Sequence, residues 1–358
     1  MSPLSVPKYL LICLLFFVHD FAAAQEKRSD YVSDASFVVG THRPKQQESN
    51  AELRASTANA FLDALTTQQR QKVLLPLDDP ERQQWTNLPP SPDALGLRLG
   101  DLDQSQVAKA CDMLATMLSK SGYEKMCQIM LADDQLLPGG RPRGGLGTEK
   151  FALVIFGTPS VDQEWAFQLD GHHIGVNLTF EGSAISISPS FIGTQPELFQ
   201  IGSRKIRPLT KEIDVAYRLV NTLNDEQRKA AVLSPRRGTI LTGPGADGKI
   251  PPANGVACKS FSAEQKSMLR ELAAQWINDL PEPQAKELHE KFAAEIDEMK
   301  FSWNGALTDR SDISYALMSP EFIIEFSCQG ASDKPLDHIH TMFRVPSDEY
   351  GAGTKGKK

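Results

Sequence analysis

The chain has 358 residues and a formal net charge of -7 at pH 7, with charges of both signs interspersed. Hydrophobic residues make up 41% of it, an ordinary fraction for a globular protein with a substantial buried core. A mildly acidic chain without a basic face lacks the electrostatic footprint of a nucleic-acid-binding protein, so we expect no nucleic-acid partner.

Residues 1–24 have the three parts of a secretory signal peptide. Lys8 is the positive region, Tyr9 to Val18 (YLLICLLFFV) is the apolar region, and Ala22-Ala23-Ala24 is a small-residue cleavage site. The apolar stretch is short for a membrane span, and an uncleaved anchor is the alternative. We therefore expect a secreted or periplasmic protein, without stable membrane insertion once the signal is cleaved.

A flexible leader is predicted over residues 25–50, which are polar and without a period. From Ala51 onward, apolar residues recur at helical spacing. Thr66, followed three residues later by Gln69, predicts an N-cap with a capping box at the start of a second, short helix.

Two further helices are predicted between residues 103 and 134, with the break between them at Ser121-Gly122. Cys111 and Cys127 would lie on these neighbouring helices. An exported protein permits disulfides, so this is the favoured pair among the four cysteines beyond the signal peptide. The alternative is that all four, including Cys258 and Cys328, are buried thiols.

Strands follow the helices, and the whole order then recurs. Alternating and apolar runs predict an antiparallel meander over Phe151–Phe156, Trp165–Phe180 and Ala184–Ser188, in which Trp165–Phe180 is either one long strand or a hairpin. After a second helical stretch, strands return at Phe301–Trp303, Ile313–Leu317 and Glu321–Ser327. In an alignment of the two halves, Trp165 falls on Ile313.

The predicted fold is α+β, with helices followed by an antiparallel meander, twice, packed as one compact domain. We place the first repeat at residues 51–200 and the second at residues 201–348, with a disordered tail over residues 349–358. Two unrelated α+β stretches are the alternative to this internal duplication.

Four of the seven histidines lie in two clusters, Gly171-His172-His173 and His338-Ile339-His340, and both clusters read as strand. Histidine is the commonest metal ligand. Side chains alternate faces along a strand, so His338 and His340 share one face, whereas His172 and His173 point to opposite faces. We therefore favour His173 as a metal ligand, with His172 as a weaker candidate or a contact to substrate.

Three histidines and a carboxylate would complete a four-ligand shell typical of zinc, and the same set suits copper or iron. Glu325 is the candidate carboxylate, as ligand or general base, because its strand is otherwise apolar and an unpaired buried carboxylate is costly. Arg344 would contact substrate, or would pair with Glu325 in a structural salt bridge. A buried hydrogen-bonded histidine network is the alternative to a metal site.

The chain resembles a family of mostly bacterial exported proteins known as domain of unknown function number 3500. The last histidine cluster departs from the family pattern, because Phe343-Arg344-Val345 stands where Trp-Arg-Asp is usual, and Asp348 is a candidate substitute for that aspartate. The resemblance implies no established activity. The matching stretches are Phe61-Leu62-Asp63, Asp79-Pro80-Glu81-Arg82 with Trp85, Trp165 through His172-His173 to Asn177-Leu178-Thr179, Phe322 to Phe326, and His338-Ile339-His340.

The expected function is that of an exported, metal-dependent enzyme acting on a small molecule or peptide. The chemistry would be hydrolytic with zinc, which lowers the pKa of bound water, and oxidative with copper or iron. The alternatives are a non-catalytic periplasmic module that binds a metal or another ligand, and a structural interaction protein with an inert polar core.

Overall fold

The computed structural model describes residues 44, 49–89, 95–137, 145–308, 311–330 and 337–353. The predicted signal peptide and almost all of the predicted leader lie outside these residues. In the described part of the chain, no helix is both long enough and apolar enough to cross a bilayer.

The protein has an α+β fold, as predicted. The helices are α1 (Ala51–Asp63), α2 (Thr67–Val73), α3 (Gln104–Met117), α4 (Lys120–Asp134), α5 (Thr210–Thr222), α6 (Asp225–Ala231), α7 (Ala263–Ile277) and α8 (Glu282–Glu295). The strands are β1 (Leu74–Leu75), β2 (Leu97–Arg98), β3 (Ala152–Phe156), β4 (Trp165–Gly171), β5 (Ile174–Glu181), β6 (Ala184–Ser186), β7 (Ser190–Thr194), β8 (Phe199–Ile201), β9 (Arg204–Ile206), β10 (Val232–Ser234), β11 (Val256–Ala257), β12 (Lys300–Gly305), β13 (Ile313–Met318), β14 (Ile323–Cys328) and β15 (Ile339–Arg344).

Thirteen of these strands form one mixed sheet, with the main order β1-β3-β4-β5-β7-β15-β14-β13-β12-β10. The antiparallel pair of β7 and β15 lies at the centre of this order. Four strands follow on each side of it: β5, β4, β3 and β1 beyond β7, and β14, β13, β12 and β10 beyond β15. Strands of residues 51–200 lie on one side of this pair, and strands of residues 201–348 lie on the other. The two predicted halves therefore meet at the centre of the sheet.

Register and polar contacts also recur in the two halves. Ala166 pairs with Thr179, and Ser314 pairs with Ser327, so both partners are shifted by 148 residues. This is the shift on which the alignment of the two halves rests. The agreement is what an internal duplication predicts, and the duplication itself stays a prediction.

A reciprocal pair of glutamines occurs in each half. The side-chain amides of Gln69 and Gln106 donate to each other's oxygens at 3.1 and 2.9 Å. Those of Gln227 and Gln265 do the same at 3.2 and 3.0 Å. Each glutamine also completes a capping box at the start of its helix, including the box predicted at Thr66.

The central strands separate an apolar face from a more polar one. On β15, Ile339 and Phe343 belong to the main hydrophobic core beside the helices. The alternate residue Met342 packs on the opposite face with Trp85 and Phe191. Loops cover this second face, and it carries the functional groups described below.

The break between α3 and α4 lies earlier than predicted. Helix α3 ends at Met117, and Ser119 caps α4 by accepting a hydrogen bond from the amide of Gly122. Gly122 is therefore inside α4 and does not end a helix. A Cβ atom there would lie 2.5 Å from the carbonyl oxygen of Asp279, so close packing requires the glycine.

Two other predictions need correction. The four described cysteines are free, buried thiols, so the favoured disulfide between Cys111 and Cys127 is absent. Both thiols interact with the buried Tyr123 side chain. The predicted disordered tail begins too early, because Pro346–Gly351 forms two short 3-10 turns separated by a kink at Asp348–Tyr350. Residues 354–358 of that tail lie outside the described residues.

Candidate metal centre

His172 and His173 form the turn between β4 and β5. The segment Trp165–Phe180 is therefore a hairpin, and the reading of this histidine cluster as strand is wrong. The paired residues Gly171 and Ile174 close this turn. His173 has a φ of +69°, in the left-handed region that histidine adopts more readily than most non-glycine residues. Strand alternation therefore does not separate the two side chains, and their ring centroids are 3.8 Å apart.

Hydrogen bonds fix the backbone of this turn. The amide of His173 donates to the carbonyl of Asn87 at 3.2 Å, and the carbonyl of His173 accepts from the amide of Gly193 at 2.8 Å. The second of these bonds ties the turn to β7. Because β7 pairs with β15, the turn is held beside the second histidine cluster.

Three histidines from the two halves converge on one point. The Nε2 atom of His338 lies 2.7 Å from Nε2 of His173 and 2.9 Å from Nε2 of His340. His340 lies on β15 opposite Gly193, and His338 lies just before that strand. These residues, which we call the three-histidine group, include three of the four predicted histidine ligands.

Gly193 makes room for the three-histidine group. A Cβ atom at this position would lie 2.5 Å from the carbonyl oxygen of Ile339, 2.9 Å from Cδ2 of His173 and 3.2 Å from Cδ2 of His340. Any larger residue would push the two rings apart or displace β15. Gly193 is thus part of the site, and the sequence prediction missed it.

The environment keeps the three imidazoles neutral. Burial lowers the pKa of His173, which is 1% exposed, and the neighbouring histidines lower it further. Burial also lowers the pKa of His338 to about 4 and that of His340 to about 3. Neutral imidazole is the form that binds a metal.

Hydrogen bonding alone satisfies this arrangement poorly. The Nε2 atom of a neutral imidazole has either one proton or one lone pair, and His338 presents this single atom to two others. A cation at the common point would take a lone pair from each ring. The geometry therefore suits a metal ion better than the alternative of a closed histidine network.

His172 takes part in a second contact. Its Nδ1 atom lies 2.5 Å from Oδ1 of Asp133, whose other oxygen accepts from the amide of Gly147 at 2.6 Å. Asp133 lies in the last turn of α4 and is 1% exposed. Ligand atoms of Asp133, His172 and His173 lie within 4.8 Å of one another, so these three residues are a second set that a metal ion would fit.

Asp133 was not predicted as a site residue, because the pair Asp133-Asp134 reads as the polar end of a helix. One signal was present in the sequence. A carboxylate in the last turn of a helix is unfavourable, because it meets the negative end of the helix dipole. Such a residue after an apolar stretch points to a specific partner, although the identity of that partner depends on the tertiary fold.

Comparison with known proteins gives a family and no function. A family model described as a protein of unknown function, DUF3500, matches residues 47–352. The chain belongs to the DUF3500 family. The resemblance seen in the sequence is thereby confirmed. No curated protein and no solved structure matches the chain.

In this DUF3500 chain, Glu325 lies outside both sets of metal-ligand candidates. Its buried carboxylate accepts hydrogen bonds from the amide of Leu241 at 2.9 Å and from the amide and hydroxyl of Thr242 at 2.9 and 2.5 Å. These donors occupy the carboxylate. The contacts support a role in anchoring a loop, and the predicted role in catalysis stays a prediction.

Arg344 anchors the same loop from β15. Its guanidinium donates to the carbonyl oxygens of Thr242 at 2.8 Å and Gly243 at 3.2 Å. It also pairs with Asp247 at 3.0 Å and with Glu349. No ion pair between Arg344 and Glu325 occurs among the described residues, so the two side chains hold opposite sides of one loop and do not neutralise each other.

Proposed function

We propose that the chain binds a divalent transition-metal ion through the Nε2 atoms of His173, His338 and His340. The observation that carries the proposal is the convergence of these atoms: Nε2 of His338 lies within hydrogen-bond distance of the other two, and all three lie within 4.8 Å of one another. Zinc is favoured, because it takes tetrahedral sites rich in histidine nitrogen, and copper or iron are the alternatives.

The three-histidine group fits such an ion after a small expansion. Two nitrogens at about 2.1 Å from a tetrahedral zinc ion lie about 3.4 Å apart. The observed separations of 2.7 and 2.9 Å are shorter than this by about 0.7 and 0.5 Å. His338 and His340 are half-buried, and small rotations of their side chains supply this expansion.

A catalytic ion fits this site better than a structural one. Catalytic zinc sites have three protein ligands and leave one position for water or substrate, whereas structural sites are closed by four protein ligands. The side chains of His338 and His340 are only half-buried, so the group is not sealed inside the core, as an open coordination position requires. We therefore infer a metal-dependent enzyme for a small-molecule or peptide substrate, hydrolytic with zinc and oxidative with copper or iron.

Metal analysis of variants tests whether the three-histidine group binds an ion. Protein stripped with a chelator and dialysed against Zn²⁺ should retain at least one equivalent more than a variant carrying both His338→Ala and His340→Ala. His289→Ala is the matched control, because His289 lies on α8 and contacts Asn278, outside both sets of candidate ligands. Equal zinc content in wild type and the double variant would contradict the proposal.

The open position has its own test. Co²⁺ replaces zinc and has a visible spectrum that depends on its ligands, so azide added to the Co²⁺-loaded protein should shift the spectrum by taking the free position. A spectrum that azide does not change would mean a closed site. In that case a non-catalytic metal-binding module would replace the enzyme.

We also propose that the protein is exported, as a secreted or periplasmic protein. The support is the succession of Lys8, the apolar run after it and Ala22-Ala23-Ala24. Fractionation of cells that express the chain should recover it, shortened by its first residues, outside the cytoplasm. Recovery of full-length chain in the cytoplasm would contradict export.

A further inference from the structure

The contact between Asp133 and His172 lies directly beside the three-histidine group. The ring of His172 packs against that of His173 at 3.8 Å between centroids, with an angle of 34° between the planes. His173 also belongs to both sets of candidate ligands. The two sets are therefore adjacent and share one residue.

The position of Asp133 calls for a cation. Its carboxylate is buried at the end of α4, where the helix dipole repels negative charge. Burial of an unpaired carboxylate is costly, and Asp133 has no lysine or arginine partner within 4 Å in the part of the chain that the structure describes. In the structure, the cost of burying the Asp133 carboxylate is offset by its contact with His172 and by one hydrogen bond from the backbone amide of Gly147.

A second ion beside the first requires an anionic ligand. Three neutral imidazoles contribute no negative charge to offset a divalent ion. A second ion close to the first is stable only if an anionic ligand lowers the repulsion between them, and Asp133 is the buried carboxylate in contact with this cluster. Paired ions about 3.5–4 Å apart, held by a few protein side chains, are an established arrangement in hydrolytic enzymes.

We propose that Asp133 and His172 form a second divalent-cation position, with His173 between it and the three-histidine group. This inference rests on the proposed function, because the second position completes a two-ion site. A carboxylate oxygen of Asp133 and a ring nitrogen of His172 are its ligands. Together the two positions take a pair of ions, and solvent or substrate fills the remaining coordination.

The stoichiometry of bound zinc in defined variants tests this proposal. After chelation and dialysis against Zn²⁺, wild type and the control His289→Ala should each hold two ions per chain. Asp133→Asn should hold one ion, which it keeps at the three-histidine group. His340→Ala should also hold one, at the second position.

Other patterns separate failure of this inference from failure of the proposed function. A wild type that saturates at one ion overturns the second position, whether Asp133→Asn leaves that ion in place or removes it. A wild type that binds no zinc overturns both proposals. One ion that is lost in His340→Ala and kept in Asp133→Asn leaves the proposed function standing alone.

A measurement on unmutated protein covers the case in which a variant does not fold. Wild type loaded with two equivalents of Cu²⁺ should give an electron paramagnetic resonance spectrum that is broadened or quenched by coupling between neighbouring ions. At one equivalent, an ordinary uncoupled signal is expected. Two equivalents that double the uncoupled signal would place the ions far apart and overturn the proposal.

Discussion

Gly193 is the residue at which a single added methyl group should disturb the three-histidine group most. We expect Gly193→Ala to weaken zinc binding by about 10- to 100-fold, a loss comparable to that from altered supporting contacts at other metal sites. The cause is the predicted contact of the new Cβ atom with the His173 ring at 2.9 Å. Competition with a chromogenic chelator measures the affinity.

Gly243→Ala is the matched control for this variant, since a Cβ atom there meets nothing closer than Ile240 at 3.7 Å. Zinc affinity in the control should equal that of wild type. If Gly193→Ala also binds zinc like wild type, the rings of His173 and His340 are not held against β7 as the structure has them.

Asp170 gives the pH dependence of stability a specific origin. Burial raises the pKa of its carboxyl to about 7, and the amide of Thr86, at 3.4 Å from both oxygens, offsets this only in part. An unfolded aspartate titrates near pH 4. The folded protein therefore binds the extra proton between about pH 4 and pH 7, and stability falls as the pH rises through that window.

We expect Asp170→Asn to stabilise the metal-free protein by about 2 kcal/mol at pH 8. This is about half of what the full pKa shift would give, because the side chain is partly exposed to solvent. At pH 4 the gain should vanish, because Asp170 is then protonated in the folded chain. Urea unfolding with a chelator present, at both pH values, measures the difference. The same change in unfolding free energy at pH 4 and pH 8 would contradict this account of Asp170.

Local chemistry predicts some elements well and others poorly. The capping box at Thr66 was predicted correctly, because its donor and acceptor are three residues apart in the sequence, and the helix start at Asp103 was predicted correctly as well. The end of α3 was predicted wrongly, because Gly122 was read as the end of a helix. The structure requires a glycine there for another reason, which is close contact with Asp279 on a different helical hairpin. The start of a helix depends on residues that are neighbours in the sequence, whereas this glycine is determined by tertiary packing.

The candidate site likewise has features that the sequence predicts and features that depend on the tertiary fold. The two histidine clusters and their convergence were predictable from the composition and the pattern of strands. The strand reading of His172-His173 was wrong, because the two central positions of the turn lack the Gly, Asn or Asp that usually occupies them, although Asp170-Gly171 precedes them. Asp133 and Gly193 join the site only through contacts across the fold, which no sequence period records.

The loop over residues 241–243 should depend on Glu325 for its position. In Glu325→Gln, one carboxylate oxygen becomes an amide that cannot accept a hydrogen bond from Leu241 or Thr242. We expect a loss of about 1–3 kcal/mol in the free energy of unfolding, because a buried donor is left unsatisfied. Zinc content should not change, since Glu325 is outside both ligand sets.

Glu321→Gln is a suitable comparison for Glu325→Gln, because the Glu321 side chain is exposed and contacts only the hydroxyl of Ser347 among the described residues. It should leave both stability and zinc content near wild type. Loss of zinc in Glu325→Gln, with stability intact, would restore Glu325 as a metal ligand or catalytic base.

Across the whole molecule, the two similar halves contribute unequally to the site. The shift of 148 residues that relates their strands places Glu321 at the position of His173. The three-histidine group therefore occurs once, at the central β7–β15 pair. The surrounding strands and the glutamine pairs, by contrast, occur in both halves. We infer that the site belongs to the joined molecule and that neither half would form it alone.

Anomalous diffraction at the zinc edge tests the central claim most directly. Crystals of the full chain grown with Zn²⁺ should show an anomalous peak about 2.0–2.1 Å from Nε2 of His173, His338 and His340. The three rings should move apart slightly to admit the ion. An absence of anomalous density at this point, with the Nε2 atoms still 2.7 and 2.9 Å apart, would contradict the account and leave a hydrogen-bonded histidine network in its place.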